Sequence, residues 1–294
     1  VSQRVLPFVS DVRSTYQATG IMGVMGNKGG VCIRLSVYDT SLCFVCAHLA
    51  AHRENVVGRN ADYKTIVEGI QFAVGGVGEG GESEVGKQEG RVAKLDPRAG
   101  SGEAVTRPLR GSALNLTRDL QLLQEHELVF WLGDLNYRID DSITTEEVFG
   151  SLERRDLESL RALDQLNLEI KKGTAFQGFC EGCLEFEPTY KYQPGTDNYD
   201  RRPDKKVRAP AWCDRVLWRS TLDDAVYSVK LRAYERSNLL PSDHKPVSAQ
   251  FDVKFRERSE KVSCTANAFV NHCLPDGLLF VYGCRMRSGF STTS

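Results

Sequence analysis

The sequence predicts a layered α/β or α+β domain, and three observations support this prediction. Runs rich in β-branched and aromatic residues alternate along the chain with stretches of helical periodicity. Hydrophobic residues make up 41% of the 294 positions, which is enough apolar material for a sizeable core. The chain shows no internal repeat, so one or two layered domains would account for its length.

Five runs are predicted to form strands because their composition suits a pleated, buried surface. In chain order they are Gly29–Asp39, Ser41–Ala50, Glu127–Gly133, Asp214–Ser220 and Lys245–Val253. Two helical regions are predicted between them. Apolar residues recur at helical spacing from about Arg53 to Phe72, and a stretch rich in Glu, Arg and Leu runs from about Thr144 to Leu168.

Two segments differ from the rest of the chain. Residues 73–113 are rich in Gly, Glu, Ser, Arg and Lys and poor in aromatic residues, which predicts a disordered insertion. The segment is also long for an ordered loop in a compact domain. The sequence after about Arg258 has no clear period. We therefore assign residues 1–258 to one domain and leave residues 259–294 as an unassigned tail.

Composition excludes several classes of protein. The formal net charge is −1, so we expect no broad binding to nucleic acid, and recognition of an anion must be local. No apolar run approaches the ~20 residues that span a bilayer, and the N-terminal residues do not resemble a signal peptide. Two CxxC pairs, Cys43/Cys46 and Cys180/Cys183, could form a zinc site. One pair lies within a predicted buried strand, so we expect reduced, cytosolic thiols instead.

The glycine-rich segment "GIMGVMGNKGGV" (Gly20–Val31) resembles a phosphate-binding loop but does not match the standard patterns. The P-loop requires Gly directly before Lys, whereas Asn27 precedes Lys28. Both the P-loop and the dinucleotide fingerprint also require a following helix, and a strand is predicted here. A glycine loop that offers N–H groups, an amide and an ammonium can still hold a phosphate. A plain hairpin turn explains the segment equally well.

Polar side chains stand at the ends of four predicted strands, where binding and catalytic groups commonly lie. They are His48, Asp134 with Asn136, Asp214, and Asp243 with His244. Carboxylate and amide oxygens suit Mg²⁺ better than zinc. Together with nearby Lys and Arg residues, these groups fit metal-assisted hydrolysis of a phosphoester. A carboxylate would orient water and a histidine would stabilise negative charge in the transition state.

Six motifs together resemble those of the inositol polyphosphate 5-phosphatase family, in the family's order. "WLGDLNYRI" and "PAWCDRVLW" closely match its two signature motifs, and "GIMGVMGNKGGV", "HLAAH", "FEPTYKY" and "SDHKPVS" match its other blocks. The resemblance covers roughly residues 8–72 and 116–253 and is strongest to the type II branch. It implies a DNase I-like fold, a four-layered α/β sandwich, and Mg²⁺-dependent removal of the 5-phosphate from inositol rings.

The resemblance also implies roles for individual residues. Asp134 matches the residue that orients and activates the attacking water, with Asn136 assisting. His48 and His244 match the pair that steadies the phosphoryl oxygens, and Asp214 matches the partner that orients His244.

Further positions match groups that bind the metal, the substrate or the lipid. Asp243 matches a metal-side carboxylate that acts through water. Positions implied to grip the 4-phosphate are Lys191, Lys206 and Arg208, and Tyr190 matches a further substrate-binding position. Asn27 and Lys28 match positions near the 1-phosphate. Residues expected to meet a membrane are Ile21, Met22 and Met25.

The chain departs from the family pattern at its N-terminal end, and the resemblance is therefore compatible with two functional hypotheses. The family begins with a strand that carries an Asn, followed by a Glu that is the main direct metal ligand, and we expect this chain to start after both. The first hypothesis is a cytoplasmic, membrane-peripheral phosphatase acting on phosphatidylinositol 4,5-bisphosphate, the 3,4,5-trisphosphate or soluble inositol polyphosphates. The alternative is a catalytically impaired phosphoinositide-binding fragment or splice product. A nuclease of the same fold, a third hypothesis, is disfavoured by the net charge.

Overall fold

The structure is a computed structural model that describes residues 3–20, 27–73, 120–222, 229–256 and 278–283. Its strands are β1 (Val9–Ala18), β2 (Gly29–Val37), β3 (Thr40–His48), β4 (Gln71–Ala73), β5 (Leu120–Leu122), β6 (Leu128–Asp134), β7 (Cys180–Glu181), β8 (Asp214–Ser220), β9 (Val229–Arg236), β10 (Val247–Val253) and β11 (Leu278–Gly283). Its helices are α1 (Val56–Gly69), α2 (Thr145–Glu153), α3 (Leu157–Ala162) and α4 (Gln165–Lys172). Short 3₁₀ turns cover Leu6–Phe8 and Leu123–Glu125.

Two sheets organise the molecule. The larger has six strands in the order β1-β2-β3-β6-β8-β7. Its pairings are antiparallel except at its centre, where β3 and β6 run parallel. The smaller sheet has the order β11-β10-β9 and is antiparallel throughout.

The central strand β6 is buried on both faces, and successive side chains enter two different cores. Phe130 faces the smaller sheet, where its ring centre lies 5.1 Å from that of Phe251. Trp131 faces the opposite way, toward α1 and α4, and packs beside Phe176 at 5.2 Å between ring centres. The described residues therefore form layers of helix, large sheet and small sheet, in agreement with the predicted α/β class.

All five predicted strands are confirmed as β2, β3, β6, β8 and β10, with ends that shift by a few residues. The predicted helix between Arg53 and Phe72 is α1. It begins after Asn55, whose side-chain oxygen accepts a hydrogen bond from the Gly58 N–H at 3.1 Å.

The predicted helical region from Thr144 to Leu168 is divided into α2, α3 and α4, and it extends to Lys172. Asp156 and Asp164 interrupt it because each caps a new helix. Their side chains accept hydrogen bonds from the Ser159 and Asn167 N–H groups.

Two long strands were not predicted. β1 and β9 carry many half-buried or exposed positions, so neither has the continuous apolar pattern of a core strand. β11 lies within the tail that the sequence left unassigned, and it pairs with β10 from Val247 to Asp252.

Most of the described residues belong to one compact unit, which is formed by Val1–Phe72 together with Leu122–Ser294. The predicted disordered insertion falls almost entirely outside the described residues, as do most residues of the predicted tail. None of the described helices has the length and apolar character needed to cross a membrane.

The two cysteines of the first CxxC pair lie on opposite faces of β3. Cys43 is buried in the core with α1, whereas Cys46 is exposed. Side chains three positions apart along a strand point in opposite directions. These two thiols therefore do not converge on one ion.

Candidate active site

Strand register brings three of the predicted polar residues into one row across the large sheet. The parallel pairing of β3 with β6 sets His48 opposite Asp134. The antiparallel pairing of β6 with β8 sets Asp134 opposite Asp214. Residues that are far apart in the sequence therefore meet at one end of the three central strands.

Gly133 lets this row form because the neighbouring strand approaches its backbone very closely. Its φ of +126° is a conformation that residues with a side chain rarely adopt. A Cβ atom at this position would stand 2.1 Å from the Ala47 carbonyl oxygen. The structure places Gly133 within β6, opposite Ala47 of β3.

The Asp134 carboxylate lies at the centre of the site and is buried. Its Oδ1 accepts a hydrogen bond of 3.2 Å from the Asn136 N–H. Its Oδ2 lies 3.3 Å from His48 Nε2 and 4.0 Å from His244 Nε2. Both predicted histidines therefore converge on the predicted water-activating carboxylate.

Asp214 orients His244, as the resemblance implied. The His244 Nδ1–H donates to Asp214 Oδ2 at 2.8 Å, because an ionised carboxylate can only accept. Thr189, a residue that sequence analysis did not select, donates its hydroxyl to the same oxygen at 2.8 Å. Burial alone would lower the pKa of His244, but the charges of Asp214 and Asp134 outweigh it and raise that pKa above its ordinary value. The imidazole is thus held with Nε2 facing Asp134.

Lys28 joins the same centre, because its ammonium donates a hydrogen bond to His48 Nε2. A cavity of about 310 Å³ opens beside these groups. Its polar lining includes Asn27, Lys28, His48 and Asp134. The two residues predicted near the 1-phosphate therefore share one cavity with His48 and Asp134.

A second cavity, of about 250 Å³, contains two of the three residues implied to grip the 4-phosphate, Lys206 and Arg208, together with Tyr190. The third, Lys191, does not line it, and its ammonium lies 3.6 Å from Asp200 Oδ2. Tyr190 forms a β-bridge with His244, and the two ring centres are 4.6 Å apart. This cavity thus adjoins His244.

Arg138 is a further site residue to which sequence analysis gave no role. Its Nη2 donates to Asn136 Oδ1 at 2.5 Å, and its Nε donates to the Asn136 carbonyl at 3.1 Å. Its guanidinium carbon lies 4.3 Å from the centre of the Tyr190 ring. The available signal was its position, four residues after Asp134 in "GDLNYR".

Three residues could hold a metal ion. One ligand atom from each of Asp134, Asp214 and His244 lies within 4.8 Å of the others, and all three residues are buried. Two carboxylates beside an imidazole suit a divalent cation, and the oxygen donors favour a hard one. Asp243 is half-buried and lies outside this group, so its role remains a prediction. The residues expected to meet a membrane, Ile21, Met22 and Met25, fall outside the described residues.

Comparison with known proteins agrees with the resemblance seen in the motifs. The family model for endonuclease/exonuclease/phosphatase family 2 matches residues 1–250. Type II inositol 1,4,5-trisphosphate 5-phosphatase of Mus musculus is 37% identical over 262 residues, which are 89% of this chain and 22% of that protein. Synaptojanin of Caenorhabditis elegans is 33% identical over 280 residues, which are 95% of this chain and 20% of that protein.

A solved structure shows a similar fold. It is the inositol polyphosphate 5-phosphatase domain of SPsynaptojanin in complex with inositol (1,4)-bisphosphate and a calcium ion. The TM-score is 0.60 at 33% identity, over 83% of this chain and 55% of that chain. This chain therefore spans about a fifth of the two curated relatives and about half of the solved chain.

Proposed function

The chain belongs to endonuclease/exonuclease/phosphatase family 2, and from that premise we propose that it is an inositol polyphosphate 5-phosphatase, a phosphoric monoester hydrolase. The observation that carries this proposal is the row of His48, Asp134 and Asp214, with His244 facing it. The names of the relatives, which are inositol polyphosphate 5-phosphatases and synaptojanins, support the same reaction.

Asp134 is the group that would orient and deprotonate the attacking water. It is buried, and the Asn136 N–H fixes one of its oxygens. The other oxygen faces both histidines, where a water and a phosphoryl group would meet. A positioned carboxylate of this kind contributes roughly 10²- to 10⁴-fold to a proton-transfer step.

His244 and His48 would stabilise the negative charge that develops on the phosphoryl oxygens. The Asp214 hydrogen bond and the raised pKa favour the protonated His244 imidazole, which presents Nε2–H toward the centre. Lys28 adds an ammonium beside His48. Fixed donors in a buried site stabilise a transition state without reorganising during the reaction.

Asp134 and Asp214 would supply the carboxylate oxygens that hold the metal, and we propose that it is Mg²⁺. The protonated His244 beside them would donate to the phosphate, because neither of its ring nitrogens keeps a free lone pair. When bound, a divalent cation polarises phosphoryl oxygens. The calcium ion in the solved 5-phosphatase domain supports a divalent cation in this fold.

The second cavity would bind the phosphate next to the scissile one, at the 4-position of the ring. Tyr190, Lys206 and Arg208 supply a hydroxyl and two cations there. Lys191 would join them by turning from Asp200 toward the phosphate. The substrates proposed are phosphatidylinositol 4,5-bisphosphate, the 3,4,5-trisphosphate and soluble inositol polyphosphates. We place the protein on the cytosolic face of membranes, with Ile21, Met22 and Met25 meeting the lipid.

The deciding experiment measures phosphate release from short-chain phosphatidylinositol 4,5-bisphosphate by this chain, first with Mg²⁺ and then with EDTA. We expect release with Mg²⁺ and its loss with EDTA. Release from a substrate that lacks only the 5-phosphate should be absent. A folded protein that binds the headgroup but releases no phosphate would overturn the proposal in favour of a binding fragment.

A further inference from the structure

We propose that Arg138 is a positioning residue that couples a phosphate in the second cavity to the alignment of the catalytic carboxylate. The inference rests on the proposed function. Through this arginine, a 4-phosphate on the inositol ring would raise kcat for hydrolysis of the 5-phosphate.

One edge of the Arg138 guanidinium donates two hydrogen bonds to Asn136. Two of its nitrogens donate to two oxygens of that single residue, the side-chain oxygen at 2.5 Å and the backbone carbonyl at 3.1 Å. Asn136 has a φ of +57°, a left-handed conformation that asparagine adopts more readily than most residues with a side chain. Its N–H then donates to Asp134 Oδ1 at 3.2 Å. The position of the guanidinium therefore sets the position of the carboxylate through one intermediate residue.

The guanidinium also reaches the second cavity. Arg138 lines that cavity together with Lys206 and Arg208, and it stacks on the Tyr190 ring. The side chain is only 8% exposed, so its charge is largely removed from bulk water. An anion bound among these cations would be attracted to the same planar group that holds Asn136.

The electrostatic surroundings of Arg138 suit an anionic ligand. Within the described part of the chain, no carboxylate oxygen lies within the 4.0 Å ion-pair distance of this guanidinium. Its observed contacts are neutral carbonyl oxygens and the face of an aromatic ring. Buried charges in proteins are usually paired. A ring phosphate would add a direct ion-pair partner to the more distant charge of Asp134 and would hold the guanidinium in one orientation.

Arg53, which lines the same cavity, shows what a purely structural arginine looks like here. It donates to the carbonyl oxygens of Ile139, Asp140 and Ile143, and so it ties the following loop together. None of those groups touches Asp134. Arg138 differs because its hydrogen-bond partner is the residue that holds the catalytic carboxylate.

The test compares two soluble substrates that both carry a 5-phosphate: inositol 1,4,5-trisphosphate and inositol 1,5-bisphosphate. Arg138→Met removes the charge and the paired donors while keeping a long side chain against Tyr190. We expect kcat for the trisphosphate to fall about 10- to 100-fold, a range seen when groups that orient a catalytic residue are removed. The kcat for the bisphosphate should fall much less, so the ratio of the two values approaches one. Lys206→Met, which removes a binding charge only, should mainly raise KM for the trisphosphate.

Arg201→Met is the matched control. Arg201 lies 4.1 Å from the centre of the Phe149 ring, a similar stacking contact outside the site, and both rates should stay unchanged. Where Arg138→Met does not fold, Arg138→Lys keeps the charge but loses the paired donors, and the same fall in ratio is expected.

The outcomes separate the two proposals. Equal losses of kcat for both substrates would mean that Arg138 has only a structural role, and would overturn this inference alone. An absence of phosphate release from both substrates by the parent protein would overturn the proposed function and this inference with it.

Discussion

Gly133 illustrates how a single position without a side chain determines the geometry of the site. His48 and Asp134, on adjacent strands, lie opposite each other because β3 and β6 approach closely at the preceding pair, Ala47 and Gly133. A Cβ atom on Gly133 would stand 2.1 Å from the Ala47 carbonyl oxygen. We expect Gly133→Ala to lower the free energy of unfolding by about 1–3 kcal/mol, the usual cost of a strained backbone position. Denaturant unfolding would measure this change, and phosphate release should fall as the row is displaced.

Gly150→Ala is the control for that substitution. Gly150 lies in α2, and an added Cβ would meet only the end of the flexible Arg154 side chain, at 3.3 Å. Alanine has a higher helix propensity than glycine, so the free energy of unfolding should stay the same or rise slightly. Equal losses in the two variants would contradict the role given to the close strand approach.

Asp134→Asn tests the central carboxylate with almost no change in shape. The amide cannot accept a proton from water, so kcat should fall by roughly 10²- to 10⁴-fold. Binding of inositol 1,4-bisphosphate, measured by calorimetry, should remain because the residues assigned to the 4-phosphate lie in the neighbouring cavity, and Asn27 and Lys28 keep their own side chains. A matching loss of binding would indicate that Asp134 serves recognition instead of chemistry.

At the scale of elements, the buried Arg215 of β8 forms ion pairs with residues of α4's N-terminal cap and of β7. Arg215 follows Asp214 and is fully buried; it pairs with Asp164 at 2.9 Å and with Glu181 at 2.5 Å. Asp164 caps α4, and Glu181 belongs to β7. Asp214 is therefore positioned by a strand that is tied at its next residue to a helix and to the sheet edge.

We expect Arg215→Met to be strongly destabilising, because it would leave two buried carboxylates without their cation. Losing one partner of a buried ion pair costs about 3–5 kcal/mol. Urea unfolding is the measurement. Arg232→Met, which breaks an exposed pair with Asp252 across β9 and β10, should cost less than about 1 kcal/mol. Similar costs for both variants would show that burial of the Arg215 cluster contributes little.

The sequence predicted the elements that bury apolar side chains and missed those that do not. β6 and β10 have clear apolar patterns, whereas β1 is held largely by backbone pairing with β2 and carries exposed residues such as Val12 and Tyr16. An exposed edge strand of this kind leaves no hydrophobic period to detect.

The same limit applies to the site. The motifs identified Asp134, His48 and Asp214 individually, but their opposition depends on the order of strands in the sheet. The role of Arg138 depends on Tyr190, which reaches it from a distant loop. Neither relation is encoded in local spacing, because both arise from tertiary packing.

At the scale of the whole molecule, stability should depend on pH through buried carboxylates such as Asp200. The hydrogen bonds from Arg202, at 2.8 Å to each carboxylate oxygen, hold the pKa of Asp200 well below its usual range. A group whose pKa is lower in the folded state stabilises the fold above its unfolded pKa of about 3.9. That contribution is lost as the pH falls toward the folded value.

Asp200→Asn should therefore lower the thermal midpoint at pH 7, and the difference from the parent should shrink at pH 3. Asp204→Asn, an exposed carboxylate beside Lys205, should show little difference at either pH. A gap between Asp200→Asn and the parent that stays constant with pH would assign the effect to packing and not to charge.

The parallel pairing of β3 with β6 joins two strands that are separated in the chain by α1 and by the whole of residues 74–119. Closing a flexible loop costs only about 0.6 kcal/mol more for each doubling of its length, so the intervening sequence could lengthen or shorten at small cost. Pairing between distant segments is slow, however, and antiparallel hairpins such as β2 with β3 form earlier. His48 and Asp134 become neighbours only when β3 pairs with β6. During refolding, we therefore expect spectroscopic signals of local structure to recover first. Phosphate release should return later, when β3 and β6 have paired and the central sheet is complete.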